Sequence, residues 1–165
     1  MVKFTKKKKE RKTIAPSTSL GILNQNHGFS ICFDDESIDV TNSKVGPGLY
    51  LARDISRLTF PLCKKLVLSI PNFQLKELRP KMPKLETLGI IHGTMRKLYL
   101  PYAYLKDIKE LDLTDNEFEC AEDLSQLKAF KNLTTLILKE NPIAYNATER
   151  IKLDTMLPDI KIEYN

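Results

Sequence analysis

Ile108 to Ile143 reads IKELDLTDNEFECAEDLSQLKAFKNLTTLILKENPI, and one pattern occurs in it twice. Ile108, Leu111, Leu113, Asn116 and Phe118 stand at relative positions 0, 3, 5, 8 and 10, and Leu133, Leu136, Leu138, Asn141 and Ile143 repeat those offsets. The two residues of each central L-x-L lie two apart, so in a short strand they point the same way, into a core. The Asn marks a sharp turn, where its side chain can bond backbone groups that no strand partner reaches. The last apolar residue brings the chain back to the core. A unit this small cannot bury its apolar side alone, so units must stack.

The template extends backwards. Leu85, Leu88, Ile90, Gly93 and Met95 fit it with Gly at the Asn position, and Cys63, Leu66, Leu68, Pro71 and Phe73 fit it with Pro there. The units start at 63, 85, 108 and 133, at spacings of 22, 23 and 25. This resembles the leucine-rich repeat signature L-x-x-L-x-L-x-x-N-x-L. The resemblance implies an α/β repeat fold: a short leucine-rich repeat solenoid of about four repeats with a parallel concave sheet.

The ends of the chain need separate readings. Residues 1–19 carry little apolar content and dense charge, and are expected to be a disordered basic tail. Residues 20–62 are read as an N-terminal cap or a degenerate repeat. Phe29, Ile31 and Phe33 alternate, as do Ile38 and Val40 beyond Asp34-Asp35-Glu36, which predicts a β-hairpin. Residues 63–143 form the repeats. Between the third and fourth strands, Asp123 is positioned to cap a short helix carrying Leu124, Leu127 and Phe130. Residues 144–165 form a C-terminal helical cap. Its helix is predicted over Ala147–Met156, with Asn146 or Thr148 at its start and Pro158 as its stop. Ile151, Met156 and Leu157 are expected to cover the last strand, and Ile160, Ile162 and Tyr164 to form a last extended piece.

This C-terminal stretch resembles the cap of the leucine-rich repeat subfamily with 22-residue units, in which an N-P pair is followed by a helix with an Arg and then by L-P-x-apolar. Asn141-Pro142, Arg150, Leu157-Pro158 and Ile160 stand at those places. Similar caps occur in the protein phosphatase 1 nuclear regulatory subunit, the spliceosomal A-prime leucine-rich repeat protein and the acidic nuclear phosphoproteins. The resemblance covers about residues 63–165 and implies a fold and a protein-binding role without naming a partner.

Charge is divided unevenly. The chain of 165 residues carries +5. Lys3, Lys6, Lys7, Lys8, Lys9, Arg11 and Lys12 against Glu10 give residues 1–12 a charge of +6, leaving the remainder at about −1. Three readings of Lys6, Lys7, Lys8, Lys9, Arg11 and Lys12 stand: a nuclear address, a phosphate-binding arm on RNA, or a solubilising tail. No apolar run approaches a membrane span, and the lysine-rich start is not a secretory signal. Cys32, Cys63 and Cys120 lack metal-ligand spacing and are read as reduced thiols of an intracellular protein, nuclear rather than cytoplasmic.

Enzyme chemistry finds no inventory. His27 and His92 lie far apart, and His92 precedes a turn. There is no P-loop, Cys/His cluster or nucleophile elbow, so no catalytic residue, cofactor, metal or small-molecule substrate is expected. Function is expected where strand alternation aims side chains away from the core: Lys65, Val67 and Ser69; Thr87, Gly89 and Ile91; Glu110, Asp112 and Thr114; Thr135, Ile137 and Lys139. Their mixed chemistry on one curved sheet suits a protein partner and predicts a non-enzymatic adaptor or scaffold with a basic tail for nuclear targeting. The alternatives are a structural subunit of an RNA-protein particle, with the tail on RNA, and a regulator of protein phosphatase 1. The last is prompted by Val2-Lys3-Phe4 and Gly21-Ile22-Leu23-Asn24, which resemble that enzyme's docking motifs.

Overall fold

The computed structural model describes residues 37–39, 60–69, 82–99 and 105–165. The phenylalanine half of the expected hairpin, the lysine tail, the phosphatase-like motifs, Cys32, Pro71 and Phe73 lie outside the described residues. Six strands form one sheet: β1 (Ser37–Asp39), β2 (Lys65–Ser69), β3 (Thr87–Ile91), β4 (Glu110–Asp112), β5 (Thr135–Ile137) and β6 (Lys161–Glu163). They lie side by side in chain order, and every pairing is parallel. The helix α1 spans Ala147–Met156.

The register follows from the repeat. Ile38, Leu66, Leu88, Leu111, Leu136 and Ile162 stand in one row across all six strands. The first five are buried, and Ile162 packs against the core from the end of the sheet. A second inward row, Leu68, Ile90, Leu113 and Leu138, is fully buried. Phe118 and Ile143, the apolar residues that close their units, are also at 0% exposure. Burying a leucine side chain is worth about 1.5–3 kcal/mol, so these rows dominate the stability of the stack.

The sheet is wider than the four units. Ser37–Asp39 adds a strand that pairs parallel with β2. The extended piece at Ile160–Tyr164 contributes β6, which pairs with β5.

The turns after β3, β4 and β5 are alike. His92, Asp115 and Glu140 have φ near 54–56°, the left-handed region, each one residue before the Asn position of its unit. The Asn side chains then tie neighbouring units together. The Nδ2 of Asn141 donates to Leu113 O at 2.8 Å, Lys139 O at 3.1 Å and Leu138 O at 3.2 Å, while Phe118 N donates to its Oδ1 at 3.3 Å. In the unit before, Asn116 Nδ2 donates to Ile90 O and Leu113 O, both at 2.9 Å, and Met95 N donates to Oδ1 at 3.3 Å. Both amides are buried, so these bonds satisfy carbonyls that would otherwise be stranded. Gly93 sits where that network has no Asn of its own, and a Cβ there would collide with Asn116 Oδ1.

Between β4 and β5 a 3-10 helical segment runs over Ala121–Ala129, burying Ala121, Leu124 and Leu127. Asp123 is its third residue rather than its start. The carboxylate reaches back to accept from Cys120 N at 3.2 Å, satisfying a donor that the helix cannot. The α1 helix has the expected bounds, and the Oδ1 of Asn146 accepts from Thr148 N at 3.1 Å and Glu149 N at 3.3 Å. Leu153 and Leu157 are the buried residues here, with Met156 partly covered, whereas Ile151 is 66% exposed. The expectation that Ile151 covers the last strand fails on helix geometry: it lies about 200° around the helix from Leu153.

The chain end is clasped to this helix. Buried Tyr164 donates to Asp154 Oδ1 at 2.8 Å, and the Arg150 guanidinium lies 4.4 Å from the Tyr164 ring centroid. Burial first, then the bond to Asp154, push the Tyr164 hydroxyl well above the ordinary tyrosine range. At the other end of the helix, Glu149 Oε2 accepts from Ala121 N at 3.0 Å and its Oε1 from Lys152 Nζ at 2.6 Å. The lysine bond, then the backbone bond, hold this carboxyl below its usual range.

Candidate protein-docking face

The outward sides of the strands form two aligned rows. One contains Ser37, Lys65, Thr87, Glu110, Thr135 and Lys161; the other contains Asp39, Val67, Gly89, Asp112, Ile137 and Glu163. Ser69 is paired with Ile91 beyond them, and Thr114 and Lys139 follow β4 and β5 at the same level of their units. All twelve residues picked from the strand alternation therefore stand on one face. Ser37, Asp39, Lys161 and Glu163 join them, and were missed because their strands carry only one core residue each. The signal was the polar-apolar-polar triplet, Ser37-Ile38-Asp39 and Lys161-Ile162-Glu163.

Exposure is uneven along the face. Lys65 is exposed, and Ser69, Thr87, Ile91, Glu110, Asp112, Thr114, Thr135, Ile137 and Lys139 are half-buried. Val67 is only 7% exposed. A Cβ on Gly89 would stand 2.8 Å from its Cγ1, so the missing side chain on β3 is what lets the valine lie where it does. That pair acts as a floor and offers little surface for contact.

The charge is ordered. Asp112 Oδ1 accepts from Thr114 Oγ1 at 2.6 Å and Thr114 N at 3.0 Å, which fixes the carboxylate at the middle of the sheet. Glu110 stands beside it on β4 with no salt-bridge partner among the described residues. On β6, Glu163 bonds Lys161 at 2.6 Å and lies 3.9 Å from Lys139, and the Lys161 bond above all holds its carboxyl low. At the rim His92 Nδ1 meets Asp115 Oδ2 at 2.8 Å, and Arg96 Nε donates to Glu117 Oε2 at 2.7 Å. His92 occupies a turn, as the sequence indicates.

The face can recognise shape and charge. Half-buried Ile91 and Ile137 flank an acidic centre, and the strands beneath are fixed by the backbone ladder. Among the described residues no group of three or more His, Cys, Asp or Glu could hold a metal ion, and no helix is long and apolar enough to cross a membrane.

No family model and no curated protein sequence matches the chain significantly. Among solved structures it is similar to the crystal structure of the Drosophila melanogaster SNF/U2A' complex, with a TM-score of 0.56 and 19% identity over 78% of this chain and 72% of that one. A leucine-rich repeat protein of Leptospira interrogans aligns with a TM-score of 0.45 and 20% identity, over 68% of this chain and 33% of that one. The chain has the leucine-rich repeat fold and resembles U2A' in its architecture.

Proposed function

We propose that this leucine-rich repeat chain is a non-enzymatic adaptor that holds a protein segment on the outward face of β2–β5, while its lysine tail directs it to the nucleus. The supporting observation is the acidic centre. Asp112 is pinned by Thr114, Glu110 is left without an ion-pair partner among the described residues, and apolar Ile91 and Ile137 stand beside them. A face arranged in advance of its partner loses little conformational freedom on binding.

The test is contact mapping in native extract with the full chain. A photo-crosslinking residue replaces Thr87, Thr135 or Ile137 on the face, or Lys128 on the outer side. Adducts to one protein from the face positions, absent from Lys128 and depleted by Asp112→Lys, are the expected result. Equal labelling from Lys128, or labelling indifferent to Asp112→Lys, removes the face from the case. The nuclear role of the tail is checked separately, by imaging a fluorescent fusion with and without Lys6→Ala, Lys7→Ala, Lys8→Ala and Lys9→Ala.

A second reading, a subunit of an RNA-protein particle, draws support from the likeness to U2A', a protein solved in complex with SNF, together with the run of lysines. It predicts that ribonuclease or raised salt strips the partners away, because each neutralised phosphate adds to the salt dependence.

A further inference from the structure

The core row of the sheet is unfinished at one end. In the row Ile38, Leu66, Leu88, Leu111, Leu136 and Ile162 the first five are at most 1% exposed, whereas Ile162 on β6 is half-buried, as is Ile160 just before that strand. The backbone is open at the same place. Lys161 N donates to Thr134 O at 2.9 Å and Glu163 O accepts from Leu138 N at 2.8 Å, so these two residues serve the β5 side. Backbone groups alternate sides along a strand, which turns Ile162 N and O to the far side, where the sheet of described residues has no further strand. Such an edge is a template for pairing with another chain.

The charges of the edge select what pairs with it. Lys161-Ile162-Glu163 carries opposite charges on either side of an apolar centre, and both charged residues stand in the outward rows. Against an antiparallel copy centred on Ile162, the Lys161 of each chain lies opposite the Glu163 of the other. The two Ile162 residues then form a hydrogen-bonded pair, exchanging both N–H···O bonds. Opposite charges directly across a strand pair stabilise it, and like charges destabilise it. Within one chain Lys161 already meets Glu163 at 2.6 Å, and its side chain is 72% exposed and open to a second carboxylate. Laying β6 on β1 of another copy instead would continue the parallel rows with Lys161 beside Ser37 and Glu163 beside Asp39, two carboxylates together.

We infer that β6 of one chain pairs antiparallel with β6 of a second copy, about a two-fold axis between the two Ile162 residues and perpendicular to the sheet. That axis keeps both outward faces on the same side. The strand has three residues, so the main-chain contact is small and the dimer belongs with weak, reversible interfaces. The inference goes beyond the adaptor reading and does not depend on it.

Sedimentation velocity of the full chain over a concentration series tests it. The weight-average sedimentation coefficient should rise reversibly towards that of a dimer. Lys161→Glu and Glu163→Lys should each weaken self-association several-fold, because each sets like charges opposite one another. An equimolar mixture of the two variants should recover it, since mixed pairs are complementary again, which misfolded chains would not achieve. In amide hydrogen exchange the Ile162 N–H should gain protection as concentration rises. A chain that stays monomeric at millimolar concentration overturns the proposal. So does a dimer that both variants form as well as the parent, which places the contact on another surface, or a mixture that associates no better than its components. An Ile162 amide equally protected at every concentration means an edge covered within the chain itself, and overturns it too.

Discussion

Gly93 occupies the position where the next two units carry Asn, and the reason is a collision. A Cβ at residue 93 would strike Asn116 Oδ1, which accepts from Met95 N at 3.3 Å. The φ of Gly93 is not in the left-handed region, so alanine fits the backbone there. Gly93→Ala must therefore move the Asn116 amide and strand the N–H of Met95, a buried residue. Leaving a buried donor unpaired costs about 1–3 kcal/mol, against a gain of about 0.4–1 kcal/mol from the stiffer unfolded chain. The net expected loss for the single change is about 1–2 kcal/mol. Asn116→Ala alone strands the carbonyl of Ile90 and the N–H of Met95, while Leu113 O keeps its bond from Asn141, and is expected to cost about 2–4 kcal/mol. In that background the obstacle is gone, and Gly93→Ala should be neutral or stabilising by up to about 1 kcal/mol. The double-mutant cycle thus predicts a coupling of about 2 kcal/mol. Urea unfolding of the four proteins, fitted with a common m-value, measures it as a midpoint discrepancy of about 1 M. Additivity within about 0.5 kcal/mol would refute the claim that Asn116 is why residue 93 has no side chain.

Three other outcomes are expected. Leu153→Ala should cost about 2–5 kcal/mol, because Leu153 is at 0% exposure, whereas Ile151→Ala should stay within about 0.5 kcal/mol; thermal unfolding that ranks them the other way refutes the helix orientation. The raised Tyr164 hydroxyl contributes stability that is complete below the ordinary tyrosine value near pH 10 and is lost as pH climbs towards the folded value. Tyr164→Phe should lower stability by about 0.5–1.5 kcal/mol at neutral pH, yet flatten the alkaline limb of a stability-against-pH curve; an unchanged limb assigns that loss to other groups. The lowered Glu149 carboxyl works in the opposite sense, its contribution present above the ordinary glutamate value near pH 4.3 and lost as pH falls through the folded value. Glu149→Gln should accordingly shallow the acid limb, and identical acid limbs in the two proteins would discount the tie between Glu149 and Ala121.

The stack was legible because its rule is local. An L-x-L spacing sends two leucines to one side whatever the neighbours do, and Leu66, Leu68, Leu88, Ile90, Leu111, Leu113, Leu136 and Leu138 are all buried accordingly. The cap helix was equally plain, since Asn146 supplies its own start signal. What escaped reading depends on partners distant in sequence. Ile38 is legible as a strand residue, but nothing in that stretch says that the strand joins β2 in parallel. Ile151 was chosen for its apolarity, but the helix phase is set by Leu153 and Leu157. Val67 was assigned to the docking face because alternation points it outward. Its burial also depends on the absent side chain of Gly89, one strand away.

The buried asparagines also bear on where a partner would be held. Each ties its own turn to the unit before it: Asn141 to Leu113 and Phe118, Asn116 to Ile90 and Met95. Strand β4 is thus gripped from both sides, by Asn141 at its exit and by the Asn116 link back to β3. The same strand bears Glu110 and Asp112, the acids at the centre of the outward face. On the proposed docking face, carboxylates on a strand tied in this way would keep their spacing when a cation approaches, so binding would cost little rearrangement of the sheet. The Asn ladder and the acidic centre therefore belong to one arrangement, with the repeat's structural signature serving as the support for its surface chemistry.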